Sequence, residues 1–184
     1  NPTGKAWTLQ RRKQFMEVVS KYDVVVVEDN PYGDLRFKGE QLPHLKALDE
    51  KGQVIYLGSF SKILSPGIRV AWACASPEVA SMIEELKETN DLQSPELTQM
   101  LVTYYMKNFD LEAHIKEIQV VYKERCELMV EMIKKYFPKE IKFTDPEGGM
   151  FLWLELPEGL DSDKILDDAV ANGLAYIPGE SFFS

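Results

Sequence analysis

The stretch Ser59-Phe60-Ser61-Lys62 sets an amine beside two hydroxyls, directly after the apolar run Val54–Gly58. An ammonium at the end of a buried strand loses hydration, so a lysine there is costly unless the amine does chemistry. Other polar groups stand at comparable places. Asn1 opens the chain in Asn-Pro-Thr-Gly, and Asp29 and Tyr32 follow the run Val24–Val27 in Glu-Asp-Asn-Pro-Tyr-Gly. Arg69 closes Ser-Pro-Gly-Ile-Arg ahead of a third apolar run. A guanidinium fork with serine hydroxyls suits a phosphate, because its N–H pairs match phosphate oxygens two at a time. A carboxylate at a strand end can hold a protonated ring nitrogen. A phenol and an amide can hydrogen-bond a ring oxygen, and a neutral amine can condense with an aldehyde.

Pyridoxal phosphate carries all four features. Asn1, Asp29, Tyr32, Ser59, Ser61, Lys62 and Arg69 are therefore the candidate binding set, with Lys62 as the catalytic amine. Each residue has an ordinary reading when taken alone. Asp, Asn, Pro and Gly all favour turns, and lysines often frame strand ends. Ser-x-x-Lys is also the nucleophile motif of serine β-lactamases. That chemistry needs Ser-Asp-Asn and Lys-Thr-Gly downstream, and neither tripeptide occurs. His44 and His114 lack spaced partners, so no metal site is expected. Cys74 and Cys126 form neither a zinc cluster nor a disulfide framework; as buried free thiols they fit a reducing cytoplasm.

The elements that position these groups are legible in the pattern. Thr8 caps a helix over residues 8–21. Val24–Glu28, Val54–Gly58 and Arg69–Ala75 read as strands buried on both faces. Ser76-Pro77 and Ser94-Pro95 each open a helix, to about Thr89 and Lys107. Helices between such strands predict an α/β sheet sandwiched by helices. Ligands of open α/β sheets bind beyond the carboxyl ends of the strands, where all seven candidates stand. From Asp110 a long helix follows, with Ile115, Ile118, Tyr122, Leu128, Met129 and Met132 as apolar positions. It spans on the order of 40 Å, enough to bridge two domains. A strand at Ile141–Phe143, the Gly148-Gly149 turn, a core strand Met150–Leu156, a helix capped by Asp161 or Ser162 and a last strand Leu174–Gly179 complete a smaller α+β unit.

Composition narrows the partners. The chain of 184 residues is 45% hydrophobic and 28% charged, with a net charge of −9. An acidic balance with scattered basic residues argues against nucleic acid, and no apolar run approaches the roughly 20 residues that span a bilayer. The chain opens without Met and closes on Pro-Gly-Glu-Ser-Phe-Phe-Ser, so it reads as a piece of a longer polypeptide.

With EDNPYGDL, SFSKILSPGIRVAW and GGMFLWLELP in this order, the sequence resembles the fold-type I pyridoxal-phosphate aminotransferases of class I/II, most of all the 2-aminoadipate, kynurenine and broad-specificity branch. Asp29 follows Asn1 by 28 positions and Arg69 follows Lys62 by 7, as in that branch. The resemblance implies the aspartate aminotransferase-like fold: residues 1–109 as the later part of the large, mostly parallel mixed-sheet domain, 110–137 as the interdomain helix and 138–184 as a truncated small domain. It implies that Lys62 forms a Schiff base with the cofactor and moves the substrate α-proton. Asp29 pairs with the pyridine nitrogen, Tyr32 and Asn1 with the ring oxygen, and Ser59, Arg69 and Ser61 with the phosphate. It further implies transfer of an amino group from an L-amino acid to a 2-oxo acid, and a homodimer in the full-length protein. The arginine that grips the substrate carboxylate and half of the phosphate cradle are expected outside this chain, so the segment alone is expected to be inactive. The alternative is the pyridoxal-phosphate-sensing domain of a transcription regulator, which has the same lysine and arginine at similar spacing.

Overall fold

In a computed structural model, residues 1–183 are described; Ser184, the last residue of the third predicted segment, lies outside them. Helix α1 (Leu9–Val19) is capped as expected, with the Thr8 hydroxyl accepting from Arg11 N at 3.2 Å. Its Met16 and Val19 pack on Val54 in the main core, with Phe15, Val26, Leu45 and Leu48 around them. Strands β1 (Val26–Asp29), β2 (Val54–Ser59) and β3 (Ala71–Cys74) form one sheet in that order. β1 runs parallel to β2, and β3 antiparallel to it. The sheet is mixed, as the fold requires.

Burial on both faces is not observed for the outer strands. Val25 and Val27 are 67% and 59% exposed, and every residue of β3 is exposed, Cys74 included. Only β2 alternates buried and half-buried positions throughout. α1 packs on one face through Met16 and Val19, and among the described residues β1 and β3 are the outer strands of the sheet. α2 (Pro77–Asp91) buries no residue and α3 (Glu96–Asn108) buries only Val102. Ser76 caps α2 through Val79 N, but Ser94 does not cap α3; Pro95 occupies that position without a side-chain bond.

The long helix is α4 (Leu111–Tyr136), capped by Asp110 through Ala113 N at 3.0 Å. It docks on the turn after β1, where Gln119 Nε2 donates to Asp34 O at 2.6 Å. The two strands predicted beyond it are short, β4 (Lys142–Phe143) and β5 (Leu154–Glu155). The rest of the expected core strand is half-buried or exposed, and beyond β5 the pairing continues only at Trp153, whose carbonyl accepts from Thr144 N at 3.0 Å, among the described residues. In α5 (Leu166–Ala171) neither Asp161 nor Ser162 is the cap. Asp161 instead accepts from Asp163 N, and Ser162 Oγ from Gly179 N. Leu174–Pro178 finds no strand partner and forms no strand. Among the described residues, no helix is long and apolar enough to cross a membrane.

Residues 145–149 are stitched to the turn after β1. Gly148 bridges to Arg36, Gly149 N donates to Leu35 O at 3.0 Å, and ion pairs join Arg36 to Glu147 and Lys38 to Asp145 at 2.8 and 2.7 Å. The approach needs glycine: a Cβ on Gly148 would meet Arg36 Cα at 2.7 Å and Leu35 O at 2.9 Å. Backbone cannot yield as a side chain does, so Gly148→Ala is expected to destabilise the protein by roughly 2 kcal/mol. The urea midpoint of unfolding reads that loss directly.

Candidate active site

The site begins with strand direction. β1 and β2 are parallel, so Asp29 and Ser59 finish at the same end of the sheet. β3 returns antiparallel and starts there, with Ser59 opposite Ala71 and Phe60 N donating to Val70 O at 3.1 Å. Arg69, just ahead of β3, is thereby brought to the same end. It adopts left-handed backbone (φ 56°, ψ 35°) at the close of the Pro66–Ile68 turn, which costs a non-glycine residue about 1 kcal/mol. Its Nη1 donates to Ser61 Oγ at 3.4 Å and to Pro66 O at 3.3 Å, and Ser61 N donates to Ser59 Oγ at 3.1 Å. Guanidinium and both hydroxyls therefore form one connected cluster.

Lys62 sits half-buried in the turn after β2, its Nζ 5.8 Å from the centroid of the Tyr32 ring. Among the described residues it forms no ion pair. Tyr32 links this cluster to a cavity of about 380 Å³ whose wall includes Asn1, Asp29 and Tyr32. Burial, reinforced by the nearby Asp29 carboxylate, pushes the Tyr32 phenol above its ordinary pKa, so it stays a hydrogen-bond donor at neutral pH. Its ring is held edge-on by Phe151 at 5.3 Å. Ser59, Ser61, Lys62 and Arg69 lie outside the cavity wall. The seven predicted residues thus fall into two groups, Asn1–Asp29–Tyr32 and Ser59–Ser61–Arg69, with Lys62 between them.

Several wall residues were not singled out from sequence: Trp7, Arg12, Arg36, His44, and Gly148 to Phe151. Arg12 donates to Pro43 O at 2.7 Å, and burial lowers its pKa against the opposing pull of Glu28. Gly148 to Phe151 read locally as a turn and a core strand. No spacing rule joins them to Asp29, since the approach runs through the Arg36 bridge. His44, dismissed as a metal ligand, is a wall residue instead.

The donor set suits a phosphorylated ring bearing an aldehyde, and comparison with known proteins points the same way. The family described as aminotransferase class I and II matches residues 1–182. Aromatic-amino-acid aminotransferase 1 of Thermococcus litoralis is 45% identical over the whole chain, which covers 44% of that protein. The crystal structure of Pyrococcus horikoshii kynurenine aminotransferase in complex with PMP superposes with a TM-score of 0.95 at 45% identity, over 99% of this chain and 45% of that one. A helix-turn-helix regulator of Escherichia coli, YdcR, is 31% identical over 99% of the chain, which covers 39% of it. The chain spans less than half the length of each.

Proposed function

The chain belongs to the class I and II aminotransferases, and from that premise we propose that it carries the lysine-bearing part of a pyridoxal-phosphate transaminase acting on an L-amino acid and a 2-oxo acid. The observation that carries this reading is the shared sheet end, where Asp29, Ser59 and Arg69 lie together and Lys62 stands beside the Tyr32 ring. When bound, pyridoxal phosphate supplies the electron sink and the amino-group carrier. Asp29 keeps the ring nitrogen protonated. Tyr32 and Asn1 donate to the ring oxygen, while Ser59, Ser61 and Arg69 hold the phosphate. Lys62 anchors the cofactor, then takes the proton from the substrate α-carbon.

Residues 1–109 are read as the later part of the cofactor-binding domain, 110–137 as the interdomain helix and 138–184 as part of the small domain. The stitching of residues 36–38 to 145–149 is then the seam between the two. A homodimer and a cytoplasmic setting belong to the same reading. The regulator alternative has less support, since the match to the aminotransferase is the stronger of the two.

Titration of the full-length apoprotein with pyridoxal phosphate, followed by borohydride reduction and peptide mass spectrometry, tests this function. A single pyridoxyl adduct on Lys62 is expected, and adducts scattered over surface lysines would refute it. Asp29→Asn removes a charge-assisted hydrogen bond of about 2 kcal/mol, so cofactor affinity should fall about 30-fold. An unchanged Kd would remove Asp29 from its proposed role.

A further inference from the structure

Asn30 lies between Asp29 and Tyr32, the two residues proposed to grip the cofactor ring. β1 ends at Asp29, and among the described residues a single further ladder bond, from Asn30 N to Leu57 O at 3.0 Å, continues it. Pro31 has no N–H to offer. The next backbone bond of the turn is Leu35 N to Tyr32 O at 2.9 Å. Between these points the backbone alone does not fix the turn.

The Asn30 carboxamide supplies the missing hold. Its Nδ2 lies 3.1 Å from His44 Nδ1 and 3.4 Å from the Tyr56 hydroxyl. The turn closes over it: a Cβ on Gly33 would fall 2.6 Å from Asn30 Oδ1. His44 is itself held. Its ring leans on Tyr56 at 4.8 Å between centroids, and Leu45 N and Lys46 N, directly after it, each donate to the Glu28 carboxylate at 2.9 Å. Glu28 also stands 3.9 Å from His44 Nδ1 and immediately precedes Asp29. The carboxamide therefore ties the turn to β2 and to the 39–48 segment, both anchored independently of the turn.

We propose that the Asn30–His44–Tyr56 network fixes Asp29 and Tyr32 in the geometry that receives the cofactor ring, which makes His44 a positioning residue of that site. This rests on the function proposed above. One hydrogen bond of about 1 to 1.5 kcal/mol corresponds to roughly tenfold in cofactor affinity.

The test is cofactor titration of the full-length apoprotein, with apoprotein melting temperatures recorded beside it. His44→Leu should weaken the pyridoxal phosphate Kd about tenfold. Adding it to Asn30→Ala should cost nothing beyond Asn30→Ala alone, because one network is broken once. His44→Asn, whose amide sits where Nδ1 was, should restore affinity; His44→Gln, one bond longer, should not. A purely structural histidine would lower the melting temperature and leave the Kd of the folded protein unchanged, and that result overturns the proposal. So does additivity in the double variant. If His44→Leu fails to fold, Tyr56→Phe keeps the ring and removes only the hydroxyl; a weaker Kd supports the network, and an unchanged one overturns it. Wild-type protein that fails to bind the cofactor sinks the proposed function and this inference with it. Wild-type protein that binds while all variants match it sinks this inference alone.

Discussion

Lys62→Ala in the full-length protein should abolish amino-group transfer, with a loss of about ten-thousandfold, the upper range for removing a positioned acid–base group. The side chain is half-buried in the turn after β2, beside the Tyr32 ring and without an ion-pair partner. It makes no hydrogen bond that the fold depends on, so the apoprotein melting temperature should change little. That separation is the diagnostic feature. Following 2-oxo acid formation gives the rate, and thermal unfolding of the apoprotein gives the control. Lys62→Arg should be almost as inactive, because a guanidinium stays protonated and neither condenses with an aldehyde nor takes a proton. Activity within tenfold of wild type in either variant would assign the chemistry to another amine.

The largest stability effect is expected at a residue with no part in the chemistry. The Asp49 side chain is fully buried, yet ionised. It accepts from the backbone N–H groups of Val54, Gln53 and Lys51 at 2.9, 3.1 and 3.2 Å, and from Lys46 Nζ at 3.1 Å. Burial pushes its carboxyl pKa up, but these four donors more than offset that and hold it below the ordinary carboxylate value. The bonds fix the entry to β2, whose Val54 is the most buried residue of the main core. Asp49→Ala leaves those donors without their acceptor and should cost about 3 kcal/mol, read from urea unfolding. The pH dependence has a defined sign. With the folded pKa below the unfolded value of about 3.9, the stabilisation is complete above that value and is lost as pH falls through the folded pKa. Wild type should therefore lose stability in acid through this group, and Asp49→Asn should lack that part of the acid limb.

Much of the local structure was legible because it depends on neighbours in sequence. Thr8 and Ser76 cap helices through a hydroxyl reaching an N–H three residues on, as read. Strand positions followed from apolar runs; the directions of β1, β2 and β3, which come from the tertiary structure, put Asp29, Ser59 and Arg69 at one end of the sheet. Burial was not legible. Val25 and Val27 have the composition of an interior strand, but nothing in a valine run says whether a second layer exists to cover it. Leu174–Pro178 likewise has strand composition and no partner. A strand needs a partner to satisfy its backbone, and outside a tight hairpin that partner is not encoded locally.

By itself the sequence offered which groups could meet a phosphorylated aldehyde cofactor, and in what order along the chain, because residue type and motif spacing are read directly from it. Only the tertiary structure decided that the seven candidates divide into two clusters joined by Lys62 against Tyr32. Only it could bring Gly148–Phe151 and His44 into the cavity wall. Those approaches depend on a backbone bridge between Arg36 and Gly148, and on Glu28 capturing the amides after His44. Such contacts join segments separated by up to about a hundred positions, where periodicity and capping carry no information.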